Sequence, residues 1–188
     1  MRHQQPRPAT DRRHGAVLPA PPPAAAGWLA GPGIGLFQPV VARLRYDAPL
    51  RDRLFLAALA AALPACALLA WVRTGTLTWH WQSPDLKTVL LVLIFHPLVE
   101  ELAFRGAIQE ALLRRLPVGF GPLSFANLVT SLLFAAMHLG SRAAWLAIAT
   151  FIPSLVFGYF RERHGSLLSP IVLHMVYNGM ALLLLPLP

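Results

Sequence analysis

The feature that most limits how this chain can fold is a series of apolar runs too long for a soluble core. Leu54 to Val72 is nineteen residues without a charge, enough to cross a hydrocarbon layer about 30 Å thick. Further runs follow from Leu86, Leu123, Ala143 and Leu167. Inside lipid, every backbone N–H and C=O must find a partner within the protein. Only helices and closed barrels meet that demand, and runs of this length without alternation indicate helices. The expected fold is an all-α membrane protein, a bundle of about five transmembrane helices with spans near 54–72, 86–104, 123–139, 143–160 and 167–187. A disordered, basic, Pro-rich N-terminal tail precedes it.

Composition agrees. The chain has 188 residues, is 56% hydrophobic and only 13% charged, about half the charge of an ordinary soluble domain. Residues 1–53 read as a disordered or interfacial tail and residues 54–188 as the membrane domain. The tail holds Pro21-Pro22-Pro23 and eight arginines but no apolar periodicity. The net charge of +8 does not indicate nucleic acid, because no aromatic residues alternate with the basic ones. Arg and Lys sort by loop instead. With the N-terminus inside, thirteen fall on the cytoplasmic side and three opposite, as the positive-inside rule requires. Trp79 and Trp81 suit an interface in the first outer connection. Cys66 is the single cysteine, so an internal disulfide is excluded and a packing role is expected. His3, His14, His80 and His164 fall in the tail or loops and are expected to be solvated.

Against that apolar background, a few polar residues stand out. Glu100 and Glu101 are adjacent at the end of the second run, with His96 one turn earlier. Asn127 and His138 lie in the third run, His174 and Asn178 in the fifth. Intramembrane ionisable groups are costly and face a bundle interior or a cavity, so the second, third and fifth helices are expected to surround one polar site. Glu101 and Arg105 are spaced to pair along a helix, which leaves Glu100 free. A carboxylate in a low-dielectric pocket gains basicity and can take a proton from water. A neighbouring histidine can orient that water. A second histidine and an amide can donate to a developing oxyanion. His96 and Glu100 could form half of a metal site, but His-Glu-x-x-His is absent and zinc needs three or four ligands. Zinc is therefore possible but not favoured, and no cofactor is expected.

These residues also resemble three motifs of the CAAX prenyl-protease and bacteriocin-processing family of intramembrane proteases. Glu100-Glu101-x-x-x-Arg105 is similar to its EExxxR motif, Phe134-x-x-x-His138 to its FxxxH motif, and His174-x-x-x-Asn178 to its HxxxN motif. The three occur in order over residues 86–185. The resemblance implies an endopeptidase acting on a membrane-anchored protein or peptide. It implies Glu100 as the water-activating base, His138 as its assistant, His174 and Asn178 as the oxyanion site, and Glu101 and Arg105 as ordering residues, with Phe134 in support. The family has been described both as metal-dependent and as glutamic, and the sequence leans to the second. The segment from His96 to Gly106 looks like the bacterial members paired with C-terminal sorting signals. That implies a multi-pass protein of a bacterial inner membrane, N-terminus cytoplasmic. Two other classes stay open: a non-catalytic immunity or chaperone-like protein of the same family, and a proton-coupled transporter using the buried Glu and His groups. One difficulty is visible in advance. At about 1.5 Å per residue, straight spans with these limits leave Glu100 about 13 Å from the level of His138.

Overall fold

A computed structural model describes residues 49–76, 84–141 and 143–185. The expectations for residues 1–48 of the tail, for Trp79 and Trp81, for His3, His14 and His80, and for Arg142 lie outside the described residues. Within them the chain is helical, as expected, apart from one small hairpin.

Helix α1 is Arg53–Thr74. Asp52 caps its start by accepting from the Leu54 N–H at 2.9 Å. Gly75 ends it in the left-handed conformation, φ 71°, returning its N–H to the Trp71 carbonyl. That conformation is open to glycine without a Cβ penalty. Alanine dominates the buried side, where Phe55, Ala62, Cys66 and Ala70 form a stripe. Small residues let the helix lie close to its neighbour, the C-terminal helix. The Tyr177 hydroxyl donates to the Ala58 carbonyl at 3.2 Å across this contact. Leu56, Leu63, Leu68, Trp71 and Val72 cover the other side and are exposed, the surface a lipid-facing helix presents.

Helix α2 runs without interruption over residues 86–115. Two of its stretches, Leu91–Phe95 and Leu102–Gln109, are π-helical. The helix thus continues for about three turns past the expected limit of the span at residue 104, and that continuation packs against the bundle. Gln109 and Glu110 are buried there. The hairpin β1 (Gly119–Phe120) and β2 (Leu123–Ser124) pairs Gly119 with Ser124 and Phe120 with Leu123, with Gly121 at φ 62° in its turn. Ser124 then caps α3, Phe125–His138, accepting from the Asn127 N–H at 2.9 Å. Helix α4 covers Ala144–His164 with a break at Thr150, and α5 is Leu168–Leu184. By length and composition, α1 and α4 are apolar enough to cross a membrane, while α3 and α5 are shorter apolar helices.

The apolar core lies where α1, α4 and α5 meet and is built on Phe55, Phe157, Phe160 and Leu173. Phe55 and Phe160 meet edge to face at 5.3 Å. Below that core, the expected solvated His164 proves to be nearly buried. Its Nε2 lies 3.0 Å from Asp52 and its Nδ1 2.7 Å from the Ser169 hydroxyl. Asp52 also accepts from Arg163, so one carboxylate ties the start of α1 to the end of α4. The Arg163 hydrogen bond holds the Asp52 carboxyl well below the usual carboxylate range. Spacing alone could not reveal this histidine's place, because its partner stands 112 residues away.

Candidate active site

The site is assembled on α2. Pro97 removes a backbone donor, and a proline ring in a helix crowds the carbonyl four residues earlier, here that of Leu93. The helix answers by widening: the His96 N–H reaches back five residues to the Leu91 carbonyl. Beyond the wide turn come Glu100 and Glu101, on different faces as their spacing requires.

Glu101 and Arg105 are both fully buried and pair at 3.1 Å. Arg105 is fixed further by α4, where its Nη2 donates to the Ser154 carbonyl at 3.0 Å and to the Ser154 hydroxyl at 2.6 Å. The Phe134 ring lies 4.8 Å below its guanidinium carbon, a cation–π contact strengthened by the absence of water. Phe134 also touches Phe104 edge to face at 5.1 Å. The FxxxH phenylalanine therefore serves as the floor for the arginine.

His174 on α5 faces both carboxylates. Its Nδ1 is 2.8 Å from Glu101 Oε1, and its Nε2 is 3.8 Å from Glu100 Oε2. A carboxylate accepts, so Nδ1 carries the proton and Glu101 fixes the tautomer. Nε2 then faces Glu100 with a lone pair in the neutral ring, or with a second N–H in the cation. Phe157 stacks on the ring at 5.2 Å and 27°. His138 is held the same way. Its Nδ1 lies 2.8 Å from the Phe134 carbonyl, which can only accept, so its Nε2 is the free nitrogen. Asn178 donates through Nδ2 to the Val92 carbonyl at 3.0 Å.

Glu100, Phe134, His138, His174 and Asn178 line one cavity of about 100 Å³, together with Val92, His96, Thr150, Pro153, Phe157 and Tyr177. That volume admits several waters. The side chain of Glu100 keeps 23% of its surface accessible, whereas Glu101 keeps none. The two adjacent glutamates thus divide into one open to the cavity and one sealed behind it.

Glu100 and His138 border the same cavity, although straight spans left an offset between their levels. Phe104 packs on Phe134, and both Gln109 and Asn127 lie against Gly158. Helix α3 therefore begins opposite the far end of α2, well past residue 104, and its last residue, His138, borders the cavity that Glu100 lines. The expected ring of α2, α3 and α5 was incomplete. Helix α4 supplies Thr150, Pro153 and Phe157 to the cavity wall and Ser154 to Arg105. It carries no ionisable group at these positions, and its contribution through small polar and backbone groups left no mark in the pattern of charges. Among the described residues, no three His, Cys, Asp or Glu side chains are grouped as a metal ion requires. His96 borders the cavity without joining such a group.

A protein of Escherichia coli described as an uncharacterized 24.3 kDa protein is 34% identical over 101 residues, covering 53% of this chain and 45% of the relative. The chain thus spans less than half the length of that protein. No solved structure matches. The family described as type II CAAX prenyl endopeptidase Rce1-like matches residues 81–180, more than half of the chain and all three motifs. By that match the chain belongs to the Rce1-like family, whose members are membrane-embedded and typically CAAX proteases.

Proposed function

We propose that the protein is an intramembrane endopeptidase of the glutamic type that hydrolyses a peptide bond of a membrane-anchored protein or peptide. The observation that carries this is the open carboxylate of Glu100 lying 3.8 Å from His174 Nε2 in a cavity shared with His138 and Asn178. In the mechanism, Glu100 takes a proton from a water in the cavity, and the hydroxide-like oxygen adds to the scissile carbonyl. His138 orients the water through its free Nε2. The tetrahedral oxyanion receives a hydrogen bond from His174. Because Nδ1 is committed to Glu101, it is Nε2 of the cationic ring that donates. The second N–H of Asn178 adds to the same donor set. Collapse of the intermediate breaks the C–N bond, and the proton held by Glu100 passes to the leaving amine. No step is routed through a metal.

The same reading assigns residues 54–188 as the protease domain, with five spans and a cytoplasmic N-terminus. It places the protein in a bacterial inner membrane, with a substrate of the C-terminal sorting kind. The test is mass spectrometry of membrane-protein termini in cells carrying the wild-type chain or Glu100→Gln. Trimmed termini that need Glu100 are expected. Identical termini in both strains would instead support a non-catalytic member of the family.

A further inference from the structure

We propose that Asn178 is a positioning residue that holds the wide turn of α2 open and thereby sets where Glu100 points. This rests on the reading of Glu100 as the base, but the hydrogen bond it invokes can be tested without activity.

Within the turn Leu91–Phe95, bonds run from a residue to the carbonyl five before it, as His96 does to Leu91. The next bond in that register would run from residue 97 to the Val92 carbonyl. Residue 97 is proline and has no N–H. The Val92 carbonyl is thus the one that this register leaves without a backbone donor, and at this half-buried position a carbonyl without a partner is unfavourable. The amide of Asn178 donates to this atom at 3.0 Å. The stretch packs directly on α5, with Leu93 beside Gly179.

The consequence reaches the cavity. A wide turn places an extra residue in the helix, so everything beyond it is rotated by about 100° relative to an unbroken α-helix. Glu100 and Glu101 lie just beyond. Their division into an open and a sealed carboxylate depends on that rotation. Asn178 therefore touches the cavity but also acts through Val92 on the helix that carries the base.

A double-mutant cycle separates this role from oxyanion donation. Asn178→Ala leaves the Val92 carbonyl unpaired. Adding Pro97→Ala restores an N–H at position 97 that can reach it. The four proteins are purified in one detergent and compared by hydrogen exchange of the peptide covering residues 91–100. Cleavage is followed on the terminus identified for the wild-type chain. Exchange in this peptide should rise roughly fivefold to tenfold in Asn178→Ala, as expected for one lost hydrogen bond of about 1–1.4 kcal/mol. It should return to within about twofold of wild type in the double variant, with α1 and α4 unchanged throughout. The pH profile of cleavage should shift and return in parallel. Unchanged exchange in Asn178→Ala, or a double variant no better than the single, overturns the proposal. Restored exchange with cleavage still lost supports it and adds a donor role for Asn178. If the wild-type chain cleaves nothing, the protease reading fails, and the exchange cycle alone still decides whether Asn178 holds the turn.

Discussion

Helix α2 contains two Glu–Arg pairs of the same spacing that should differ sharply in what they contribute. Glu101–Arg105 and Glu110–Arg114 are both i,i+4 pairs, at 3.1 and 3.2 Å. Geometry alone would rate them equal. Arg105 is sealed from solvent, whereas Arg114 keeps 56% of its side-chain surface. Removing Arg105 leaves Glu101 charged, buried and short of its main partner, and strands the Ser154 acceptors. Breaking such a pair costs about 3–5 kcal/mol. Removing Arg114 leaves Glu110 still bonded to Arg161 at 2.8 Å, and an exposed pair of this kind is worth about 0.2–1 kcal/mol. The comparison is Arg105→Ala against Arg114→Ala, by reversible unfolding in the same detergent or bicelle. A difference of at least about 2 kcal/mol is expected. Arg105→Ala should also abolish activity, because Glu101 without its arginine no longer holds His174 in one tautomer. Equal stabilities would refute the claim that burial, and not spacing, sets the weight of the EExxxR arginine.

Two further outcomes follow from the packing. Asp52→Asn should lower thermal stability at pH 7, where the carboxylate binds Arg163 and His164. The carboxyl is held below its ordinary range, so its contribution is complete above about pH 4 and lost only as pH falls further, through its lowered value. Melting of the two proteins should therefore converge only in strong acid, and convergence already at pH 6 would contradict the assignment. Gly158→Ala should destabilise by about 1–3 kcal/mol through overpacking, because its Cβ would overlap the Asn127 amide and press on Gln109. Adding Asn127→Ala should recover part of the loss in the same unfolding assay, and no recovery would place the strain elsewhere.

The all-α class of fold was legible because long charge-free runs leave a backbone so few solutions that they are enough to name helices. The Glu101–Arg105 pair was legible for the same reason, since it needs only one helix and a spacing of four. What could not be read was register. The sequence invites a stop to the second span where charges begin, at Glu100 to Arg105. The structure instead carries those charges inward, because Ser154, the Gly158 carbonyl and Arg161 wait on α4 to meet them. A serine hydroxyl and a peptide carbonyl have no periodicity of their own, and so α4 looked empty. Likewise nothing in the spacing of Asn178 distinguishes a donor to a substrate from a donor to the Val92 carbonyl. That distinction depends on the missing N–H of a proline on a different helix.

The same hidden contacts explain how a small bundle keeps its site in register. Glu101, Arg105 and Gln109 follow one another at steps of four along α2. Arg105 meets Ser154, and Gln109 meets the Gly158 carbonyl at 3.1 Å, each pair separated by 49 residues. Gln109 also meets Glu162, separated by 53. A constant offset means that α2 and α4 run parallel and that these bonds are rungs of one ladder. Sliding either helix by a single residue would break both backbone rungs at once and leave buried donors unpaired, at roughly 1–3 kcal/mol each. Apolar packing between helices in lipid does not discriminate so strongly between registers, since lipid tails are as apolar as leucine. The ladder begins at Glu101, whose other contact is His174. Axial register fixed by α4 is thus passed to the histidine on α5, and Glu100 need only project into the cavity beside it.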